Sequence, residues 1–178
     1  MADCDERAGE HVRNLTPALK SSGDASMTKR WPSPKYEVRT TIHAPFPFVY
    51  RWCTDYTPED ARYSGEGYER RILRRSDREV IFEDLYDTKE GWIWIRRAVR
   101  LLPPAGWHAD SVGSDRALSV DYRLSRLSGH STLLTIRARR RPYGIGGKNP
   151  PKSRWERTVA SNWAKFGRAL ERDYKRGR

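Results

Sequence analysis

The chain has 178 residues, 35 Lys and Arg against 23 Asp and Glu for a formal net charge of +12, and 11% aromatic residues that include seven Trp and nine Tyr. That length sets a single domain as the prior, the aromatic content argues against a disordered chain, and two cysteines, Cys4 and Cys53, make neither a disulfide framework nor a metal-spaced pair. No run of about 18 apolar residues could span a membrane. The start Met-Ala-Asp-Cys-Asp-Glu-Arg lacks the features of a secretory signal, so a reducing cytoplasm is the expected location.

The charge is unevenly placed. Arg137 to Arg178 carry fourteen bases against only Glu156, Glu171 and Asp173, while the rest of the chain is close to neutral. Residues 1–30 are polar and weakly patterned, and Pro17 and Ser21-Ser22-Gly23-Asp24 interrupt what pattern there is. They read as a flexible tail, with the domain proper at 31–178. Lys35 to His43 alternates, with Tyr36, Val38, Thr40 and Ile42 on one side, as a half-buried strand does. Ala44-Pro45 ends it. Phe46 to Cys53 reads as a short apolar helix that tolerates Pro47 in its first turn. Thr57-Pro58-Glu59-Asp60-Ala61 has the cap, N1 proline and early acids of a second.

A run of strands follows: Gly67–Arg75, Glu79–Tyr86, Trp92–Leu102, a short one at Trp107–Val112, Ala117–Leu127 and Thr132–Arg141, separated by tight turn signals. Short connections imply antiparallel neighbours. The last element is the strongest. Trp155, Val159, Trp163, Phe166, Leu170 and Tyr174 recur at helical spacing, and Arg157, Ser161, Lys165, Arg168 and Arg172 repeat the steps on the opposite face. Ser153 and Glu156 fit a capping box after Pro150-Pro151. A helix of about six turns with such an aromatic face needs a large concave partner. The fold expected is therefore α+β: a curved antiparallel sheet of six to seven strands around a long C-terminal helix, with two short helices after the first strand.

This order resembles the START-like superfamily, also called SRPBCC, helix-grip or polyketide cyclase-like. The resemblance is carried by Val38 to Ile42 with Ala44-Pro45, by Val49-Tyr50-Arg51-Trp52 and Asp55, by the strand meander, and by Trp155 to Tyr174. It spans about Lys35 to Lys175. One departure is the polar, acidic stretch Tyr56 to Tyr63, where members often carry Trp. The resemblance implies a cavity between helix and sheet for a small hydrophobic or aromatic molecule. Strand parity gives its walls as Ile95, Arg97, Val99, Val120, Tyr122 and Ile136, completed by Trp163 and Phe166 from the helix; the alternative is that these residues simply fill a core.

Arg97 falls on the inward parity and needs an anionic partner. Glu83 is one candidate; the parity of Glu79–Tyr86 does not decide between it and Asp84. Arg97, Glu83 and His43 are the candidates for an aromatase/cyclase or dehydratase type of chemistry. No HExxH or CxxC is present, so neither metal nor cofactor is expected. Gly144-Ile145-Gly146-Gly147 reads as a hinge rather than a phosphate loop. A third reading gives the outward Arg137, Arg139 and Arg141, with Trp92, Trp94, Arg96 and Arg100, to nucleic acid or an anionic surface. A homodimer covering Trp92 and Trp94 is the bland version.

Overall fold

The computed structural model describes residues 35–64, 67–89, 91–114, 116–143 and 148–177. The tail expected at 1–30 and the hinge expected at 144–147 lie outside them. Along the chain come β1 (Lys35–Ile42), α1 (Phe46–Thr54), a single 3-10 turn (Pro58–Asp60), α2 (Ala61–Ser64), β2 (Tyr68–Arg75), β3 (Glu79–Thr88), β4 (Gly91–Leu102), β5 (Gly106–Gly113), β6 (Arg116–Ser128), β7 (Ser131–Pro142) and α3 (Lys152–Lys175). Among the described residues, seven strands form one sheet in the order β1-β7-β6-β5-β4-β3-β2, each pair antiparallel. This is the helix-grip fold expected from the sequence.

The hairpin meander β2 to β7 follows from the short turns, and β1 closes on the far side of β7, where Val38 faces Ile136. Alternation does the folding work. Tyr36, Val38 and Ile42 of β1, Val80 and Phe82 of β3, Val99 of β4, Trp107 of β5, Val120 of β6 and Leu134 and Ile136 of β7 point to one side and are buried there. Burying each large side chain is worth about 1.5–3 kcal/mol. At Gly106 any side chain would collide with the Tyr122 carbonyl, so glycine lets β5 and β6 close tightly where Trp107 and Tyr122 stack at 4.8 Å.

Helix α3 lays its aromatic stripe into this concavity. Trp155 stacks on Tyr36 at 4.5 Å, Trp163 meets Tyr122 at 5.7 Å, Tyr174 meets Phe48 of α1 at 5.1 Å, and Leu170 is wholly buried. The capping box does not form. Helix α3 begins at Lys152, and Pro151 is its N-cap, with no side-chain cap bond. Pro151 has the extended backbone that precedes a helix, and its carbonyl accepts from Arg154 and Trp155 at 3.1 Å each. Glu156 is drawn instead to the edge of the sheet, where its Oε1 accepts from the backbone N–H of Glu37 at 3.0 Å.

Candidate functional site: a cavity with one charged wall

Between α3 and the sheet lies a cavity of about 640 Å³. Its apolar wall comes from Ile93, Ile95 and Val99 of β4, Trp107 and Ala109 of β5, Leu118, Val120 and Tyr122 of β6, and Val159, Trp163 and Phe166 of α3. Seven of the eight residues expected to form the cavity wall line it. Ile136 does not: it is buried in the core on β7, one strand beyond its partner Tyr122, and no described residue of β7 lines the cavity.

The opposite wall is charged. Arg70 of β2 reaches Asp84 of β3 with both ends of its fork, at 2.8 Å from Nε and 3.2 Å from Nη2. Its Nη1 also donates to Asp60 of the 3-10 turn. Arg97 of β4 donates from Nη1 to Asp84 Oδ2, the oxygen that also accepts from Arg70 Nη2, and from Nη2 to the Tyr86 hydroxyl at 3.2 Å. Asp84 is completely buried and Arg70 nearly so; the Arg97 side chain keeps 24% of its surface. A carboxylate so deep is tolerable because two guanidiniums flank it. The Arg70 guanidinium also lies 4.2 Å from the centre of the Phe82 ring, a cation–π seat.

Of the two carboxylates left open as partner of Arg97, Asp84 is the one it meets, and Glu83 as a candidate for the site is corrected. Glu83 is on the other side of the sheet, paired with Arg96 at 2.6 Å. The inward parity of β3 is that of Val80, Phe82 and Asp84. His43 is corrected as well. It is exposed just after β1, where its backbone N–H donates to Glu171 at 2.8 Å and its Nδ1 lies 3.5 Å from Ser131, and it does not line the cavity. Residues that sequence reasoning passed over include Arg70, Asp60, Tyr56 and Trp107, all in the lining. A usable signal existed: Arg70 shares parity with Tyr68 and Ile72, and in the pairing of β2 with β3 it stands directly opposite Asp84.

The acidic stretch that departs from the resembling proteins supplies Tyr56 and Asp60 to the lining. Tyr56 has φ +44°, a left-handed conformation that a non-glycine residue adopts at a cost. Arg75 holds this bend from outside, donating from Nη2 to the carbonyls of Asp55 and Tyr56. The Tyr56 ring packs 5.1 Å from Phe82.

Burial sets the protonation chemistry. It lowers Arg97 to about 10, with repulsion from Arg70 adding to the effect, so Arg97 remains a cation at neutral pH. Burial raises Tyr122 to about 12, partly offset by Arg97. Burial also raises Asp60 against the pull of Arg70, and raises the Cys53 thiol. Neither tyrosine nor thiol is a neutral-pH base here. What the cavity does offer is unspent hydrogen bonding. Arg97 has N–H groups beyond its two bonds, and the Tyr122 hydroxyl, the buried Ser111 hydroxyl and the Trp107 indole N–H have no protein partner among the described residues. No cluster of three His, Cys, Asp or Glu suited to a metal occurs among the described residues.

On the convex side, Arg137 is bonded to Glu37 at 2.9 Å, while Arg139 and Arg141 are exposed. His108 is clasped between Asp121 at 2.7 Å and Asp110 at 3.0 Å. No helix among the described residues is long and apolar enough to cross a membrane.

Solved structures place the fold. The chain matches an aromatase/cyclase, Zhui, from Streptomyces sp. R1128 with TM-score 0.62 at 13% identity, over 81% of this chain and 94% of that one. It matches the di-domain aromatase/cyclase StfQ of the steffimycin biosynthetic pathway with TM-score 0.61 at 19% identity, over 81% of this chain and 47% of that one, so it spans about half the length of that protein. A START superfamily protein from Mycobacterium smegmatis matches with TM-score 0.59 at 12% identity, over 81% of this chain and 99% of that one. No family model matches the sequence, and no curated protein matches it. The chain has the START-like, SRPBCC fold; at these identities the likeness is one of architecture.

Proposed function

We propose that the protein binds a small, mostly apolar molecule in the cavity between α3 and the sheet, and that Arg97 orients an oxygen of that molecule. The observation that carries this reading is a cationic guanidinium with unspent N–H groups, set into an otherwise aromatic and aliphatic space. Asp84 is already shared with Arg70, so the charged wall has donors to spare for an acceptor, best an anionic one. The Tyr122, Ser111 and Trp107 groups support the same reading, since buried polar groups are normally hydrogen-bonded and a ligand oxygen or an ordered water would satisfy them.

Titration with anilinonaphthalene sulfonate, which joins an aromatic body to an anionic head, tests the reading. Saturable binding is expected, with Trp163→Arg abolishing it in a protein that still melts cooperatively. Arg97→Met is expected to weaken it by about 10- to 100-fold, the worth of a charge-assisted bond, while a neutral apolar probe loses little. Probe binding that ignores both substitutions would overturn the proposal. A second reading, catalysis of the aromatase/cyclase or dehydratase kind, is favoured by two of the structural neighbours, which are aromatase/cyclases. In it Arg97 would stabilise a developing enolate. Its mark would be turnover lost in Arg97→Lys with probe affinity largely kept.

A further inference from the structure

The surface of this molecule is polarised along the strands. In the antiparallel order, the β3–β4 hairpin, the end of β5, the start of β6 and the end of β7, from which the chain enters α3, all lie at one end of the sheet. The cavity opens there: its most exposed lining residues are Gly67 and Asp87, with Thr88 beside them. The exposed aromatic side chains among the described residues all belong to this end. Trp92, 64% exposed, is paired across the hairpin with Asp87; Trp94 follows it, and Tyr143 ends β7. The aliphatic Val112 is exposed at this end too, and the far end has only the aliphatic Leu73, Leu102 and Leu127 among the described residues.

The same end carries exposed cations beside exposed acids such as Asp87. Arg141, Arg154 and Arg157 make no ion pair among the described residues. The reason lies in α3. Its three carboxylates accept from neutral donors elsewhere in the fold: Glu156 from the Glu37 N–H, Glu171 from the His43 N–H, and Asp173 from the Trp52 indole at 3.0 Å; Glu156 also lies 3.8 Å from the Lys152 ammonium. None is left to balance the outward arginines. Moreover, the first turn of α3 has no acidic residue and carries Lys152 and Arg154, where the helix dipole favours the opposite charge. A local rule broken in favour of cations suggests a use for them.

We infer that the mouth end of the domain docks on an anionic phospholipid bilayer, with Trp92, Trp94 and Tyr143 at the interface, Arg141, Arg154 and Arg157 against the phosphates, and the cavity opening onto the lipid. Indole and phenol rings join an apolar body to a polar tip and settle at that boundary. Juxtaposed cations add attraction to anionic headgroups. The inference rests on the ligand reading in one respect: an apolar ligand dissolves in a bilayer, and this orientation would let it enter without crossing water. A single-stranded nucleic acid would also suit aromatic and basic groups, but it gives no reason for them to gather at the end where an apolar cavity opens.

Sedimentation of the full chain with vesicles tests the docking without any cavity ligand. Binding is expected to vesicles of equal parts phosphatidylglycerol and phosphatidylcholine, not to phosphatidylcholine alone, and to weaken as salt rises. Arg154→Glu with Arg157→Glu should lower affinity by more than about tenfold; acids in the first helical turn suit the dipole, so this variant is expected to fold. Trp92→Ser with Tyr143→Ser should lower it several-fold at every salt concentration. Arg172→Glu with Arg176→Glu, at the far end of α3, should do much less. Anilinonaphthalene sulfonate binding without vesicles should be unchanged in all the arginine variants, so docking and ligand binding fail separately. Absence of vesicle binding, equal binding to neutral vesicles, equal loss from the two ends of α3, or preference for a single-stranded oligonucleotide over vesicles would overturn the inference.

Discussion

Glu83 and Asp84 are consecutive, and the sheet separates them. Glu83 lies on the convex face with Arg96, whose side chain is 55% exposed; Asp84 lies on the concave face, wholly buried between Arg70 and Arg97. The chemistry of the two pairings is the same and their surroundings are not. On the convex face Arg96 stays largely in water and Glu83 keeps 21% of its surface, so the pair is only partly desolvated and is worth little. On the concave face Asp84 and Arg70 have left water, and only the closed network with Asp60 and Arg97 keeps that tolerable. The concave charges fix the shape of one wall; the convex charges mainly keep the surface wet.

The sharpest way to break this contrast is Asp84→Asn. It leaves Arg97 with no anion and Arg70 with Asp60 alone, and a loss of about 3–5 kcal/mol in urea unfolding is expected. A loss under about 1 kcal/mol would mean the wall is solvated after all. Next comes the charge of Arg97. As pH climbs through about 10 the guanidinium loses its proton, so affinity for anilinonaphthalene sulfonate should fall there by about an order of magnitude, and a neutral probe should not follow. Unchanged affinity for the anionic probe would separate Arg97 from the ligand.

On the convex face, His108 gives a smaller, pH-dependent effect. Partial burial favours the neutral ring, but the bonds and charges of Asp121 and Asp110 outweigh it and raise the imidazole above 6.5. A raised folded value means the fold holds the imidazolium better than the unfolded chain does. Its stabilisation is complete below about 6.5 and is lost as pH rises through the folded value. The melting temperature should therefore decline through that window in the wild type and stay flatter in His108→Gln; parallel curves would dismiss the clasp. Smallest of all, Glu83→Gln should change stability by about 0–1 kcal/mol, and a larger change would erase the distinction between the faces.

The apolar half of the cavity was legible because alternation and helical periodicity report burial directly. Ile95, Val99, Val120, Trp163 and Phe166 each sit where an apolar residue with the right period has to sit. The charged half was not. Charged residues occur on both parities of β3, so neither Glu83 nor Asp84 could be chosen from its own strand. What decides is the register between strands, which sets Arg70 opposite Asp84, together with the apolar neighbours Val80 and Phe82. Ile136 has the same period as the lining residues and still falls outside the cavity, since period reports which side a residue faces and not how many strands across the sheet the space extends. The capping box at Ser153 failed for a related reason: a local motif was outcompeted by a distant backbone donor on β1.

That contact has a consequence for solubility. A seven-stranded open sheet has two unpaired borders, and each could seed runaway strand-to-strand association. Along β1 the outward N–H of Glu37 and the N–H of His43 just beyond the strand are occupied by glutamates from α3, so an incoming chain would meet carboxylates and no open donors at those points. β2 is guarded differently: it is crowded with arginines and its pairing with β3 slips between Ile72 and Arg74, which spoils the flat template that amyloid-like growth requires.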